Sequence, residues 1–544
     1  MNNSEYNSLG NKVALIMANN SYSEIIWIGL FCISLLCFFW ILISYWKNQS
    51  NIKEYILYAS ILTIITIGRL PHFSRGFIDG DEAIWITNAL TLIHDTKFYF
   101  SEIINSVRFF SVVPLVFLYP IGINHTTCQL VVIIIFFLNI VLTIKILSIN
   151  FEKKNVFLSI TPFLLAISLL NTYGFIPYNS EHFSILVILL IVYVVLKINN
   201  KDINENIVSM TIVGILSFIA INCKFQSLLI VILINFYLLI NLKNKLNIFF
   251  VIIGFLIAYL PFILISLSTN NIEIIAYFWI DNFYYALFGL NDDNKDKFLD
   301  ELLTIFLIPD TKYYYLFSFL SLLYISTEIL KSKLDFKQIL LYVILLTVSL
   351  YTVIAPQFLF LHYIFYFIFS YFLFFCYSVN IFLNCNNSSS LKLLYLFLCS
   401  ILPSIHILYS GNISFRLSSE KLAYYNSQNF LLSLREKYLK DVSLPKFSIL
   451  GWNNKYYTDG NFILGSSEMY TTLFELDFPS SKYRYERFII NLENRLPEIF
   501  CIQAGKTLND HHELSLILNK HYTFIAKESG DDFYILNCFI DNNL

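Results

Sequence analysis

Residues 69–100 read RLPHFSRGFIDGDEAIWITNALTLIHDTKFYF, a carboxylate-bearing stretch that directly follows an apolar run at 54–69. The rest of the chain gives it its setting. Of 544 residues, 57% are hydrophobic and 14% charged, against roughly 25% charged in an average soluble domain. Mean hydropathy is +0.64. Soluble cores of ordinary size cannot hide this much apolar surface, so the composition points to a polytopic α-helical membrane protein. A net charge of −2 argues against a nucleic-acid partner, which would call for a strongly basic footprint.

A bilayer core takes about 20 apolar residues in a helix. About twelve runs approach that length: 25–46, 54–69, 127–148, 156–171, 182–197, 207–222, 226–241, 246–267, 312–330, 337–355, 358–380 and 391–409. The first starts near Ile25 without a basic region before it, and reads as a retained helix rather than a signal peptide. A further apolar stretch, 107–122, holds Pro114 and Pro120 and reads as a juxtamembrane helix. With that stretch not counted as a span, Lys47/Lys53, Lys153/Lys154, Lys197/Lys201, Lys243/Lys245, Lys331/Lys333/Lys337 and Lys392 all fall on one face. The positive-inside rule makes that face cytoplasmic. Loops 70–106, 172–181 and 268–311 and the tail from about 410 are then extracytoplasmic. The arginines, at 69, 75, 108, 416, 435, 484, 487 and 495, fall on that outer side too; an arginine fork suits phosphate and carboxylate.

The chain divides into a transmembrane part, 1–409, and an extracytoplasmic α/β domain, 410–544. In the tail, KFSILGW, EIFCI, YTFIAK and DFYILN read as strands, and YRYERFIINLEN and HHELSLILNK as helices. Cysteines show no CxxC pair, which excludes a zinc ribbon. Cys501 and Cys538 could pair only in an oxidising compartment.

The acidic loop places Asp79, Asp81 and Glu82 within four residues. One reading is structural: Asp79 caps a helix, Glu82 completes a capping box, and Ile84, Trp85, Ala89 and Leu92 form an apolar face. The second reading is chemical. A carboxylate at a helix N-terminus stays ionised, which is the state a general base starts from.

The DEAxxxxxAL stretch at Asp81–Leu90 resembles the first outer loop of GT-C integral-membrane glycosyltransferases, nearest to the branch of protein O-mannosyltransferases and the aminoarabinose transferase. The likeness continues in order along the chain. NTYGFIPYNSEHF brings Glu181 and His182, INCKFQS brings Lys224 at an outer turn, and FLFLHYIFYF brings His362 and Tyr363. Two features depart from the pattern: no arginine stands shortly before the HY pair, and the span at 25–46 is extra.

The resemblance implies an inverting transfer of a sugar from a polyprenyl-phosphate donor to a glycan, lipid or protein acceptor, in a bacterial inner membrane. Asp81 would be the base, with Glu82 positioning donor or acceptor. Lys224, Arg69 and Arg75 would face the donor phosphate, and Glu181, His182, His362 and Tyr363 would contact substrate. No cofactor is expected and no HxxxH or HExxH spacing indicates a metal, though a divalent ion stays open. A polytopic transporter or flippase is the alternative; such proteins often show internal repeats and charged mid-membrane helices, neither of which is evident here.

Overall fold

The computed structural model describes residues 23–47, 53–73, 79–103, 107–171, 173–200, 206–269, 271–288, 298–308, 311–319, 336–354, 361–385, 389–409, 419–469, 471, 474, 478–509 and 511–541. Arg75, Arg416, Lys201, Lys331 and Lys333 lie outside them. Among the described residues, six helices are long and apolar enough to cross a membrane: Ser23–Trp46, Glu54–Phe73, His125–Leu147, Ser180–Asn199, Lys245–Ser268 and Leu361–Asn384. Shorter apolar helices at Ile207–Cys223, Ser227–Asn241, Gln338–Ile354 and Lys392–Leu408 coincide with four more of the expected runs. The chain is an integral membrane protein, mostly helical, with a small C-terminal sheet.

The helices differ in what surrounds them. Leu361–Asn384 has 89% of its apolar window buried and forms the centre, whereas Lys245–Ser268 has 17% buried and turns Ile252, Leu256, Leu260 and Leu264 outward. Apolar side chains gain nothing by leaving lipid for protein, so such helices associate through close backbone packing. Gly214 and Gly254 show this at the crossing of Ile207–Cys223 with Ile248–Ser268. A Cβ on Gly214 would stand 2.0 Å from the Val251 carbonyl oxygen, and one on Gly254 2.1 Å from that of Thr211.

Two expected spans take another form. The run 156–171 breaks into Lys153–Ser159 and Thr161–Ser168, since Pro162 has no N–H to donate and its ring crowds the preceding turn. Its residues are buried among the neighbouring helices. The run 391–409 passes through a π-turn at Phe397–Ile401 just before Pro403. Of 312–330, residues 312–319 are helical and the remainder lies outside the described residues. The proline-bearing stretch forms the eight-residue helix Phe109–Val116, about 12 Å long at 1.5 Å per residue, too short to cross a core of about 30 Å.

The C-terminal sheet has five strands, β1 (Lys446–Leu450), β2 (Ile463–Leu464), β3 (Ile499–Ile502), β4 (Tyr522–Glu528) and β5 (Asp531–Leu536), in the order β2-β1-β3-β5-β4. β1 pairs in parallel with β2 and β3, and β5 pairs antiparallel with β3 and β4. Ser529 and Gly530, at φ +55° and +91°, form the two-residue turn between β4 and β5; positive φ at both positions matches the twist of the strands it joins. Helix Ser481–Arg495 crosses from β2 to β3, and His512–His521 precedes β4. Cys501 is buried in β3 and Cys538 is exposed; they are not joined.

Candidate functional site

The acidic stretch forms helix Gly80–His94. Asp79 is its N-cap, its carboxylate accepting from the Asp81 backbone N–H at 3.2 Å. That satisfies one of the donors a helix start leaves free. Burial, and then the neighbouring charge of Asp81, push the Asp79 carboxyl up to about 7.

Glu82 does not close a capping box. Its carboxylate instead accepts from His125 Nδ1 at 2.5 Å and from the Tyr178 backbone N–H at 2.8 Å. It thereby ties the acidic loop to the start of helix His125–Leu147 and to the segment before Ser180. The far nitrogen of His125 meets the Thr458 hydroxyl of the sheet domain at 3.1 Å.

The expected single apolar face is also replaced. From Glu82 to Leu92 every residue of the helix is buried, including Thr87, Asn88 and Thr91. The sheet domain supplies the second cover: the Leu464 N–H of β2 donates to Thr91 Oγ1 at 3.1 Å, and Arg495 pairs with Asp95 at 2.8 Å.

Four separate segments converge at the start of this helix. Asp81, with its side chain 31% exposed, has Oδ2 at 3.6 Å from His362 Nε2. The same nitrogen lies 3.7 Å from Glu181 Oε1. Both distances are beyond hydrogen-bond length. Glu181 Oε1 in turn holds Lys224 Nζ at 2.7 Å. The Lys224 ammonium sits 4.7 Å from the centre of the Tyr363 ring, and the Tyr363 hydroxyl accepts from Gln226 Nε2 at 3.1 Å.

Local structure explains the meeting. Glu181 opens helix Ser180–Asn199, Lys224 caps the end of Ile207–Cys223, and His362 and Tyr363 form a 3₁₀ turn ahead of Ile364–Cys385. The turn Tyr173–Phe175 lies against that 3₁₀ turn so closely that a Cβ on Gly174 would fall 2.5 Å from Leu361 Cβ.

The expected residues do not all meet here. Asp81, Glu181, Lys224, His362 and Tyr363 do. His182 is placed differently from a substrate contact: it is buried, packs against Phe365 and Phe136 with ring centres 4.5 and 5.3 Å away, and its Nδ1 accepts from the Asn179 N–H at 3.1 Å. Arg69, expected to face the donor phosphate, is fully buried. Its guanidinium donates to the carbonyl oxygens of Phe175 and Ile176, each at 3.1 Å, and lies over the Phe136 ring. Those bonds hold the 173–178 segment. His125, Gln226, Tyr178 and Thr458 escaped the sequence reading; the only signal for His125 was a polar residue two positions before an apolar run. Among the described residues no three His, Cys, Asp or Glu side chains are grouped to hold a metal ion.

The crystal structure of ArnT from Cupriavidus metallidurans bound to undecaprenyl phosphate is similar over 89% of this chain and 98% of that one, with a TM-score of 0.56 and 12% sequence identity. The chain shares the fold of that protein. No protein-family model matches it, and no curated protein matches it by sequence. The likeness therefore rests on architecture, not on sequence.

Proposed function

We propose that the chain is an inverting glycosyltransferase that moves a sugar from a polyprenyl-phosphate donor to an extracytoplasmic glycan, lipid or protein. The observation that carries this reading is the placement of Asp81. It is a partly open carboxylate beside His362 and beside a buried Glu181–Lys224 pair, in a fold shared with a protein seen bound to undecaprenyl phosphate.

In the transfer, the acceptor oxygen attacks the anomeric carbon and gives its proton to Asp81 as the new bond forms. The bond from that carbon to the phosphate oxygen breaks, and the polyprenyl phosphate leaves with the electron pair. Developing negative charge on the phosphate calls for a cation beside it. Lys224 is our candidate, since Glu181 and the Tyr363 ring fix its ammonium in place, and Arg75 is a second. Glu82, engaged by His125 and Tyr178, acts by positioning Asp81. His362 and Tyr363 contact the sugar. The active site and the sheet domain face away from the lysine-rich loops, on the extracytoplasmic side of a bacterial inner membrane.

Mass spectrometry of lipid-linked sugars and surface glycans, with and without the gene, tests the reading. A polyprenyl-phosphate sugar accumulating in the deletion strain, with one glycan modification lost, is the expected result. Unchanged pools of both would reject it.

A further inference from the structure

Thr458 belongs to the sheet domain, yet it begins a chain of contacts that leads to Asp81. It lies on the short helix Lys455–Asp459, between β1 and β2. The Tyr456 hydroxyl of that helix donates to Oδ2 of the buried Asp531 at 2.8 Å, and Asp531 Oδ1 accepts from the Ala504 N–H, just past β3, at 2.8 Å. The short helix is thereby tied to the sheet. Asn454, the residue before it, lies against the start of the acidic helix: a Cβ on Gly80 would stand 3.7 Å from its amide nitrogen.

His125 receives the contact. It opens helix His125–Leu147, where Asn124 and Thr127 close a reciprocal capping box at 2.9 and 3.0 Å. The Thr458 hydroxyl has one hydrogen and donates it to the Lys455 carbonyl at 2.8 Å. Its oxygen is therefore the acceptor for His125 Nε2–H at 3.1 Å. The other ring nitrogen meets Glu82 at 2.5 Å, and both residues are buried. Four residues on, and so on the same helix face, Gln129 donates to the Ile176 carbonyl at 3.0 Å. That face thus also steadies the segment whose Tyr178 N–H gives Glu82 its second bond.

Glu82 is held from two directions, and it adjoins Asp81 in the first turn of helix Gly80–His94. The rotation of that turn sets where the Asp81 carboxylate points, 3.6 Å from His362. Misplacing a reacting group by about 1 Å can cost about 10²-fold in rate. We propose that His125 is a positioning residue through which the docked sheet domain holds Asp81 in place, a role that rests on the transfer reading above. Imidazole suits it because its two nitrogens point apart, one to each domain.

The test uses the full-length protein in detergent. Thr458→Val removes the hydroxyl at nearly unchanged shape. Hydrogen exchange at residues 80–86 should quicken by about tenfold, the scale of one lost hydrogen bond, although the substitution is in the sheet domain. Exchange in helix Ser481–Arg495 should stay as in wild type. With a defined donor and acceptor, kcat should fall by about tenfold while KM for the donor is unchanged. Thr458→Ser, which keeps the hydroxyl, should restore both. An Asn amide sits near the place of Nδ1 and a Gln amide near that of Nε2. His125→Asn should therefore match Thr458→Val, and the two together should lose no more than either, because both cut the same bond. His125→Gln, which releases Glu82, should lose more. Unchanged exchange at 80–86 in Thr458→Val would overturn the link whether or not the protein transfers sugar. Quickened exchange with a wild-type kcat, or additive losses in the double variant, would overturn the positioning role and leave the transfer reading standing. A wild type that transfers no sugar would strike that reading and the positioning role with it, and exchange alone would then judge the link.

Discussion

Two clusters of buried charge organise the molecule, and their charge balance differs. Glu181 and Lys224 form a one-to-one pair at 2.7 Å, their side chains 0% and 6% exposed. Arg484 faces two carboxylates, Asp281 and Glu468, each at 2.9 Å. The first cluster joins the ends of membrane helices and borders the partly open Asp81. The second joins the sheet domain to helix Glu273–Phe288 and, among the described residues, leaves one negative charge in excess. Burial accordingly holds the Glu468 carboxyl above the ordinary carboxylate range, against the pull of Arg484. A balanced pair can hold an ammonium rigidly beside a reacting centre. An unbalanced trio is a docking contact whose strength changes with pH.

The contrast is most exposed to test at Lys224. We predict that Lys224→Met destabilises the protein by about 3–5 kcal/mol, the range for stranding one partner of a buried ion pair, as read by thermal unfolding in detergent. The Lys224→Met/Glu181→Gln double variant should recover most of that loss. A single variant as stable as wild type would show that the pair is not buried and would remove the distinction between the clusters.

At Arg484 a smaller loss is expected, about 1–3 kcal/mol, because the stranded Glu468 carboxyl, already raised by burial, can take up a proton. Burial disfavours the charged form of Glu468, so Arg484→Met should lose least at acidic pH and most at alkaline pH. Hydrogen exchange in helix Ser481–Arg495 would show whether the loosening is at the docking face. A pH-independent loss would mean that the trio behaves like the Glu181 pair.

At Asp79 the expected effect lies in the shape of the pH profile. Its carboxyl lies near 7 in the folded protein and near 3.8 when unperturbed. Between those values the folded state holds a proton that the unfolded state has released. Its contribution to stability therefore falls as pH rises through that window. Asp79→Asn keeps the cap, since Asn serves as well as Asp, and should flatten that part of the stability profile without loss of transfer. An unaltered profile would place the titration elsewhere.

Much of this was legible in the sequence because membrane helices and small sheets are written in local patterns. The long apolar runs, the strands at KFSIL and IFCI and the Asp79 cap follow from periodicity and turn chemistry. What stayed hidden depends on partners distant along the chain. Glu82 has the spacing of a capping box, yet His125, 43 residues away, takes its carboxylate. Helix Gly80–His94 shows an apolar face on one side only, and its polar side is buried by β2, which no local pattern in a two-residue strand announces. Arg69 sits at a helix end like an interfacial anchor, but the 173–178 segment folds over it. The run 156–171 is continuous in apolar composition, and only Pro162 marks where its helix breaks.

The central claim is that Asp81, alone of the carboxylates at this helix start, takes the acceptor's proton. The direct measurement is the transfer rate of purified Asp81→Asn and Asp79→Asn with a defined polyprenyl-phosphate sugar and acceptor, alongside thermal unfolding. The account predicts that Asp81→Asn falls by about 10²–10⁴-fold at an unchanged unfolding temperature, while Asp79→Asn stays near wild type. An Asp81→Asn enzyme that transfers sugar at the wild-type rate would contradict it.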